Sequence, residues 1–313
     1  MDGPNRSPGG CTLTAFAGAV TLGGVNFLAV RFSNRELAPF WGAGLRFSLA
    51  ALLFVTIVVA LRLRWPRGRQ LLLTIQFGLL AFTASYAFLY WALVRVTAGV
   101  ATVVLAIVPL VTLLLAAVQR LERIGRRALL GAGLALIGIV WITVGPQRVV
   151  LPLAGLVAML GAALALGQSA ILGKRVADHH PAVTNAVGMS AGAVALLALS
   201  AVSGEAWVLP RQPEVVAVVV YLVTFGSVGL FVLLLLIVRR WTASATSYLF
   251  VLFPVVTMLL EAWLAGEPIT MQGVIGAGLV TSGVWLGALS PAARRQPVGS
   301  VTRRWTPAAS GGS

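Results

Sequence analysis

Charge, cysteine and histidine are all scarce in this chain. Only 10% of its 313 residues are charged, against about 25% in a soluble domain, so the sequence is composed for lipid rather than water. One cysteine, Cys11, excludes an internal disulfide and carries no message about compartment. The two histidines, His179 and His180, stand beside Asp178 in a short loop. Without cysteines or a second cluster they make a weak metal signal, and solvent exposure is the expectation; no metal or other cofactor is called for. No Gly-x4-Gly-Lys-Ser/Thr sequence occurs, so a P-loop does not couple this protein to ATP. Connections between apolar runs are too short for a soluble catalytic domain.

What the chain has in abundance is apolar length. It is 59% hydrophobic with a mean hydropathy of +0.96, and runs of about 20 apolar residues are what crosses a ~30 Å hydrocarbon layer. Ten such runs can be read, at 12–30, 38–61, 70–93, 97–118, 128–144, 152–172, 182–203, 214–238, 242–264 and 271–289. The fold class expected is an all-α polytopic membrane protein. Arg6 ahead of the first run suggests a signal peptide, but the run ends without a small-residue cleavage site, so it reads as the first helix. The tails, 1–11 and 290–313, are rich in Gly, Pro, Ser and Arg and are expected to be disordered.

The net charge of +15 is distributed unevenly. With ten spans, 17 Lys and Arg residues fall on the side of the N-terminus, including Arg62, Arg64, Arg67, Arg69, Arg120, Arg123, Arg126 and Arg127, and 5 fall on the other. That is the positive-inside pattern and predicts both termini in the cytoplasm, with the chain in the cytoplasmic (inner) membrane. Anionic headgroups account for these charges, and no nucleic-acid partner is needed.

The second half superposes on the first at an offset of 145. Thr97–Trp141 then reads against Thr242–Leu286, pairing Pro109 with Pro254, Thr112 with Thr257, Glu122 with Glu267, Gly131-Ala132-Gly133-Leu134 with Gly276-Ala277-Gly278-Leu279, and Gly138 with Gly283. Pro39 aligns with Pro181 at an offset of 142. Each half, 12–144 and 152–289, holds five runs; five is odd, so the second half enters the membrane from the opposite side. The expectation is two inverted five-helix repeats, an arrangement from which carriers build one site with two gates.

These residues resemble the EamA-type repeat of the drug/metabolite transporter superfamily. The stretch 37–53, Leu-Ala-Pro-Phe-Trp-Gly-Ala-Gly-Leu-Arg-Phe-Ser-Leu-Ala-Ala-Leu-Leu, looks like that family's second helix, including its arginine at Arg46. Val108-Pro109 through Glu122 to Gly138, and Phe253-Pro254 through Gly266-Glu267-Pro268 to Gly276, are similar to its fourth and fifth helices. Two departures stand out: Gln119–Arg123 replaces the Leu-Gly-Glu turn, and Gly188 stands where Arg46 would have its second-half partner. The resemblance implies ten helices around a central cavity and alternating-access transport of small metabolites or drugs.

Polar residues inside the runs are the candidate functional groups. Glu261 is the one acid well inside an apolar run and Arg46 the one base. A charge at mid-membrane costs at least about 2.5–3.5 kcal/mol, so the simplest account pairs these two or sets both on a wet cavity, as a structural ion pair or a coupling site for protons. Pro109 and Pro254 fall mid-run and are read as kinks or hinges. Glu122 and Glu267 lie at run ends as gates or helix starts; Glu267 precedes Pro268, where a carboxylate meets the positive end of a helix dipole. Phe82, Tyr86 and Tyr90 form one helical stripe, with Tyr86 and Tyr90 as cavity candidates and Trp91 as an interface anchor. Asn26, Gln168 and Tyr248 complete the cavity candidates; Gln76 and Asn185 are further amides in the runs, and each of these groups also suits a helix bridge.

This inventory bears on function class. The runs contain no His, Lys or Asp, and no Cys beyond the first boundary, so an intramembrane enzyme lacks its nucleophile, acid pair or metal ligands. A channel would need repeated polar rings. The reading preferred is a secondary transporter, an exporter of small organic solutes, as a monomer or homodimer in the lipid bilayer.

Overall fold

A computed structural model describes residues 10–121, 125–144, 152–176, 179–233, 237, 248–264, 266 and 268–286. Among the described residues the elements are helices: α1 (Gly10–Ser33), α2 (Pro39–Ala60), α3 (Arg69–Gly78 continued by Ser85–Leu93), α4 (Ala98–Leu105 and Val108–Val118) and α5 (Arg126–Val144). They continue as α6 (Leu153–Arg175), α7 (Pro181–Val202), α8 (from Pro213–Val223), α9 (Tyr248–Leu264) and α10 (Met271–Val284). Seven of them are long and apolar enough to cross a membrane, and α5, α9 and α10 contain shorter apolar stretches. The two tails lie outside the described residues.

The helix starts follow from sequence. Pro39, Pro181 and Pro213 occupy the first turns of α2, α7 and α8, where the missing N–H would have had no intrahelical partner. Thr97 and Thr270 accept from the N–H groups of Val100 and Gly273 at the starts of α4 and α10, the usual N-cap bond.

Widened turns lie within α3 and α8. α3 passes through a π segment at Leu79–Ala84 and α8 through one at Thr224–Gly229. The two begin 145 residues apart, the offset that superposes the halves of the sequence. A π turn inserts a residue and frees a carbonyl from the helical ladder.

The paired prolines behave differently. Ahead of Pro109 the Ala106 N–H is shared between the carbonyls of Thr102 and Val103, at 2.9 and 3.2 Å, the Ile107 N–H turns to Val104 O three residues back at 3.3 Å, and α4 is divided between Leu105 and Val108. Pro254 lies inside the continuous α9. Of the two prolines read as kinks or hinges, Pro109 follows a tightened turn that divides α4, whereas α9 continues through Pro254.

Packing crosses between the halves. α2 lies on α7 and α5 on α10; α1 lies along α9 and α6 along α4; α3 meets α6 and α7, as α8 meets α1 and α2. Exchanging every helix for the one five places on returns each of these eight pairs, although lesser contacts, such as α2 with α3 and α1 with α4, lack an equal counterpart among the described residues. Close approach is bought with glycine: an added Cβ at Gly78 would meet the backbone of Gly188 on α7, and one at Gly283 would lie 2.6 Å from Gly131 O and Ala135 N on α5.

The exterior is apolar and the interior carries the polar groups. Leu52, Leu72, Val118, Leu130, Val194 and Trp263 are exposed, whereas Asn26, Arg46, Ser85, Asn185, Ser227, Thr257, Glu261 and Gln272 are buried. In water this distribution would be unfavourable; in lipid it is what the solvent demands.

Gly78→Ala is expected to destabilise the α3–α7 contact by about 1–3 kcal/mol, the cost of overpacking, seen as a lower melting temperature in detergent. Gly133→Ala, whose Cβ would meet nothing within 4 Å, should leave that temperature unchanged or raise it.

Candidate functional site

The first polar centre forms where α2 crosses the π segment of α8. Arg46 is 1% exposed. Its Nε donates to Ser227 Oγ at 3.1 Å, Nη2 to Gly226 O at 3.0 Å and Nη1 to Tyr90 Oη at 3.5 Å. The rings of Phe47 and Tyr86 lie 5.2 and 5.3 Å from the guanidinium carbon, within cation–π range. The widened turn explains the geometry, because Gly226 O faces sideways and accepts from Asn26 Nδ2 as well, at 3.1 Å. Ser227 Oγ in turn donates to Leu222 O at 2.9 Å. A Cβ at Gly226 would run into Asn26 Oδ1, so any larger residue here would displace the Asn26 amide.

The second centre is Glu261, near the end of α9. Its carboxylate accepts from Arg31 Nη1 at 2.6 Å, from the Ala98 N–H at 2.8 Å and from the Gly99 N–H at 2.6 Å. One side chain thus joins α9 to the end of α1 and to the start of α4, with the favourable sign for a helix N-terminus. The expected pairing of Glu261 with Arg46 is corrected. Arg31, one residue past the apolar run at 12–30, is carried on α1, which extends to Ser33 and so delivers the guanidinium to Glu261. Arg46 bonds to neutral groups instead.

Two further carboxylates at this rim meet helix starts. Glu36, after α1, accepts from the N–H groups of Arg211 and Gln212 ahead of α8, at 2.9 and 3.2 Å. Glu205, after α7, accepts from those of Phe40 and Trp41 in α2, at 3.1 and 2.8 Å. Trp41 stacks on Trp207 with centroids 4.9 Å apart.

A cavity of about 410 Å³ opens between these ends, lined by Arg31, Thr97, Gly99, Glu261, Ile269 and Thr270 among others. Leu93 and Val94 also line it, one turn along α3 from Tyr90. The remaining candidates separate into groups. Asn26, Arg46, Tyr86 and Tyr90 belong to the first centre, which is closed over. Gln168 bonds to Gln119 at 2.8 Å in an exposed position, Gln76 is exposed and Asn185 is buried in α7. His180 Nδ1 accepts from the Ala182 N–H at the start of α7. Glu122, Glu267, Asp178 and the side chain of Tyr248 lie outside the described residues. Sequence reasoning missed Arg31, Gly226 and Ser227; at the duplication offset Gly226 and Ser227 fall on Ala81 and Phe82, so no repeated residue marks them.

Comparison with known proteins bears on the chain as a whole. Residues 11–144 and 153–288 each match the model of the EamA-like transporter family. An Escherichia coli K12 protein named as the uncharacterized inner membrane transporter YedA is 29% identical over 271 residues, 85% of this chain and 87% of its own. A Salmonella typhimurium protein named as a probable amino-acid metabolite efflux pump is 28% identical over 290 residues, 88% of this chain and 94% of its own. A solved crystal structure superposes with a TM-score of 0.64 at 21% identity, covering 91% of this chain and 98% of its own, a likeness of fold.

Glu261→Gln is expected to lower stability by about 1–3 kcal/mol, since the amide replaces a carboxylate that takes two backbone donors and a guanidinium. Arg31→Gln should cost less, because Arg31 is partly exposed and Glu261 keeps both backbone donors. Thermal unfolding of both variants in detergent checks the order.

Proposed function

The chain belongs to the EamA-like transporter family, and on that premise we propose export of small organic solutes by alternating access between two inverted five-helix repeats. It is a secondary membrane transporter; the export direction, the ten-span layout and the solute class are the reading developed here. The observation that carries it is that the main contacts between the halves map onto one another when the halves are exchanged, with a polar centre buried between them.

Inversion is supported at the rim that holds the cavity. α1 ends there at Arg31, while α6, its counterpart, begins there: a Cβ at Gly155 would lie 2.8 Å from Val96, at the end of α3. Counterpart helices thus run in opposite senses, as a two-fold axis in the membrane plane requires. The Arg-rich connections at 62–69 lie at the other end of α2 and α3, so the positive-inside rule puts the cavity on the outer face. The membrane is then the inner membrane, with both termini cytoplasmic. Amino acids or related metabolites suit the solute class, by analogy with the efflux relative.

Glu261 is the latch of the outer rim in this reading. It ties α1 and α4 of the first half to α9 of the second, and outward release requires those ties to lengthen. A proton on its carboxylate would weaken all three bonds at once, which links opening to pH.

Two measurements check the proposal. On a Cys11→Ser background, a cysteine at Arg64 should react with an impermeant maleimide only from the cytoplasm, and one at Arg211 only from outside; the reverse pattern rejects the orientation. In proteoliposomes, Glu261→Gln should abolish the dependence of transport on a pH gradient, and unchanged coupling rejects the proton role.

A further inference from the structure

Arg46 is a buried cation whose bonded partners are neutral. Of the acids among the described residues, Glu36, Glu205 and Glu261 bind helix starts or Arg31, and Glu214 is exposed. A charge in the interior without an opposite charge is costly, and a guanidinium offers five N–H donors in a fork that matches a carboxylate. Three of those donors are used by Ser227, Tyr90 and Gly226.

Beside it lies the complementary deficit. Asn26 is more than nine-tenths buried, and its Oδ1 has no hydrogen-bond partner. An orphaned acceptor at this depth calls for a donor. Asn26 Nδ2 and Arg46 Nη2 end on the same oxygen, Gly226 O, so the two side chains lie next to each other. The site therefore lacks an anion at Arg46 and a donor at Asn26. Phe47, Phe82 and Tyr86 form an aromatic cluster alongside, with Phe47 4.7 Å from Tyr86 and 5.3 Å from Phe82 between ring centroids.

We propose that Arg46 and Asn26 form the head-group site for a zwitterionic amino-acid substrate with an apolar side chain. Its carboxylate takes a free N–H edge of the Arg46 guanidinium, its ammonium donates to Asn26 Oδ1 once that amide turns off Gly226, against which it is packed here, and its side chain lies on the aromatic cluster. The proposal rests on the carrier reading above, because the centre is closed over here and opens only when the halves separate. The outer cavity approaches it through Leu93 and Val94, one turn from Tyr90.

The test uses the full chain, purified in detergent, with tritiated L-leucine and L-phenylalanine as probes. Their amides lack the carboxylate, and their N-acetyl derivatives lack the ammonium. The free amino acids should compete at least tenfold better than either derivative. Arg46→Lys, which keeps charge but loses the fork, should weaken amino-acid binding at least tenfold. Asn26→Leu should bring the N-acetyl derivatives to within twofold of the parent amino acids, a change of selectivity that a merely structural Asn26 would not produce. Equal competition by all forms, absence of binding by both amino acids, or uniform loss in Asn26→Leu overturns the proposal. Efflux of a mixed metabolite extract from proteoliposomes separates the two readings. Export of other solutes without amino-acid binding leaves the carrier standing and removes the zwitterion site. Retention of every solute removes both.

Discussion

Polar groups within a bilayer have to find partners inside the protein, and here those partners lie across the boundary between the two halves. Arg46 on α2 meets the freed carbonyl and hydroxyl of the α8 π segment. Glu205 of the second half caps α2, Glu36 of the first half meets the start of α8, and Glu261 of the second half caps α4. Each bond would be worth about 0.5–1.5 kcal/mol net between neutral groups and more with charge. Their value in this setting is that no water waits to replace them, so the halves can separate only along paths that supply substitutes. In the proposed transport cycle a hydrated vestibule or a bound solute supplies them, which would couple movement to occupancy.

The two π segments give the device its form. A regular helix has no carbonyl to spare; the widened turn in α8 exposes one and points it at α2. The segment in α3 lies at the equivalent position, yet Gly188 stands where a second Arg46 would be, and the α3–α7 contact is closed by backbone against backbone. A symmetric scaffold therefore carries an asymmetric centre. Duplication supplied the widened turn twice and the cation once.

Much of the architecture was legible because the bilayer imposes length and polarity directly on sequence. The apolar runs, the glycine faces of α5 and α10, and the singling out of Arg46, Tyr90, Asn26 and Glu261 all followed from counting. The partnerships did not. Arg31 falls one residue past the apolar run at 12–30, and only the helix's continuation to Ser33 delivers its guanidinium to Glu261. The π segments leave little trace in composition, since Leu79–Ala84 and Thr224–Gly229 are ordinary apolar or small residues. Pro109 and Pro254 look equivalent in sequence, but the turn before each, set by packing, decides which helix divides.

If the halves rock about the Arg46 centre, the outer rim has two widths. Pulsed dipolar distances between spin labels at Arg95→Cys and Ile269→Cys, in Cys11→Ser protein in lipid nanodiscs, measure that width directly. The account predicts two distance populations, with the longer one gaining weight when Arg46→Gln removes the clamp. A single population that this substitution leaves unchanged would contradict it.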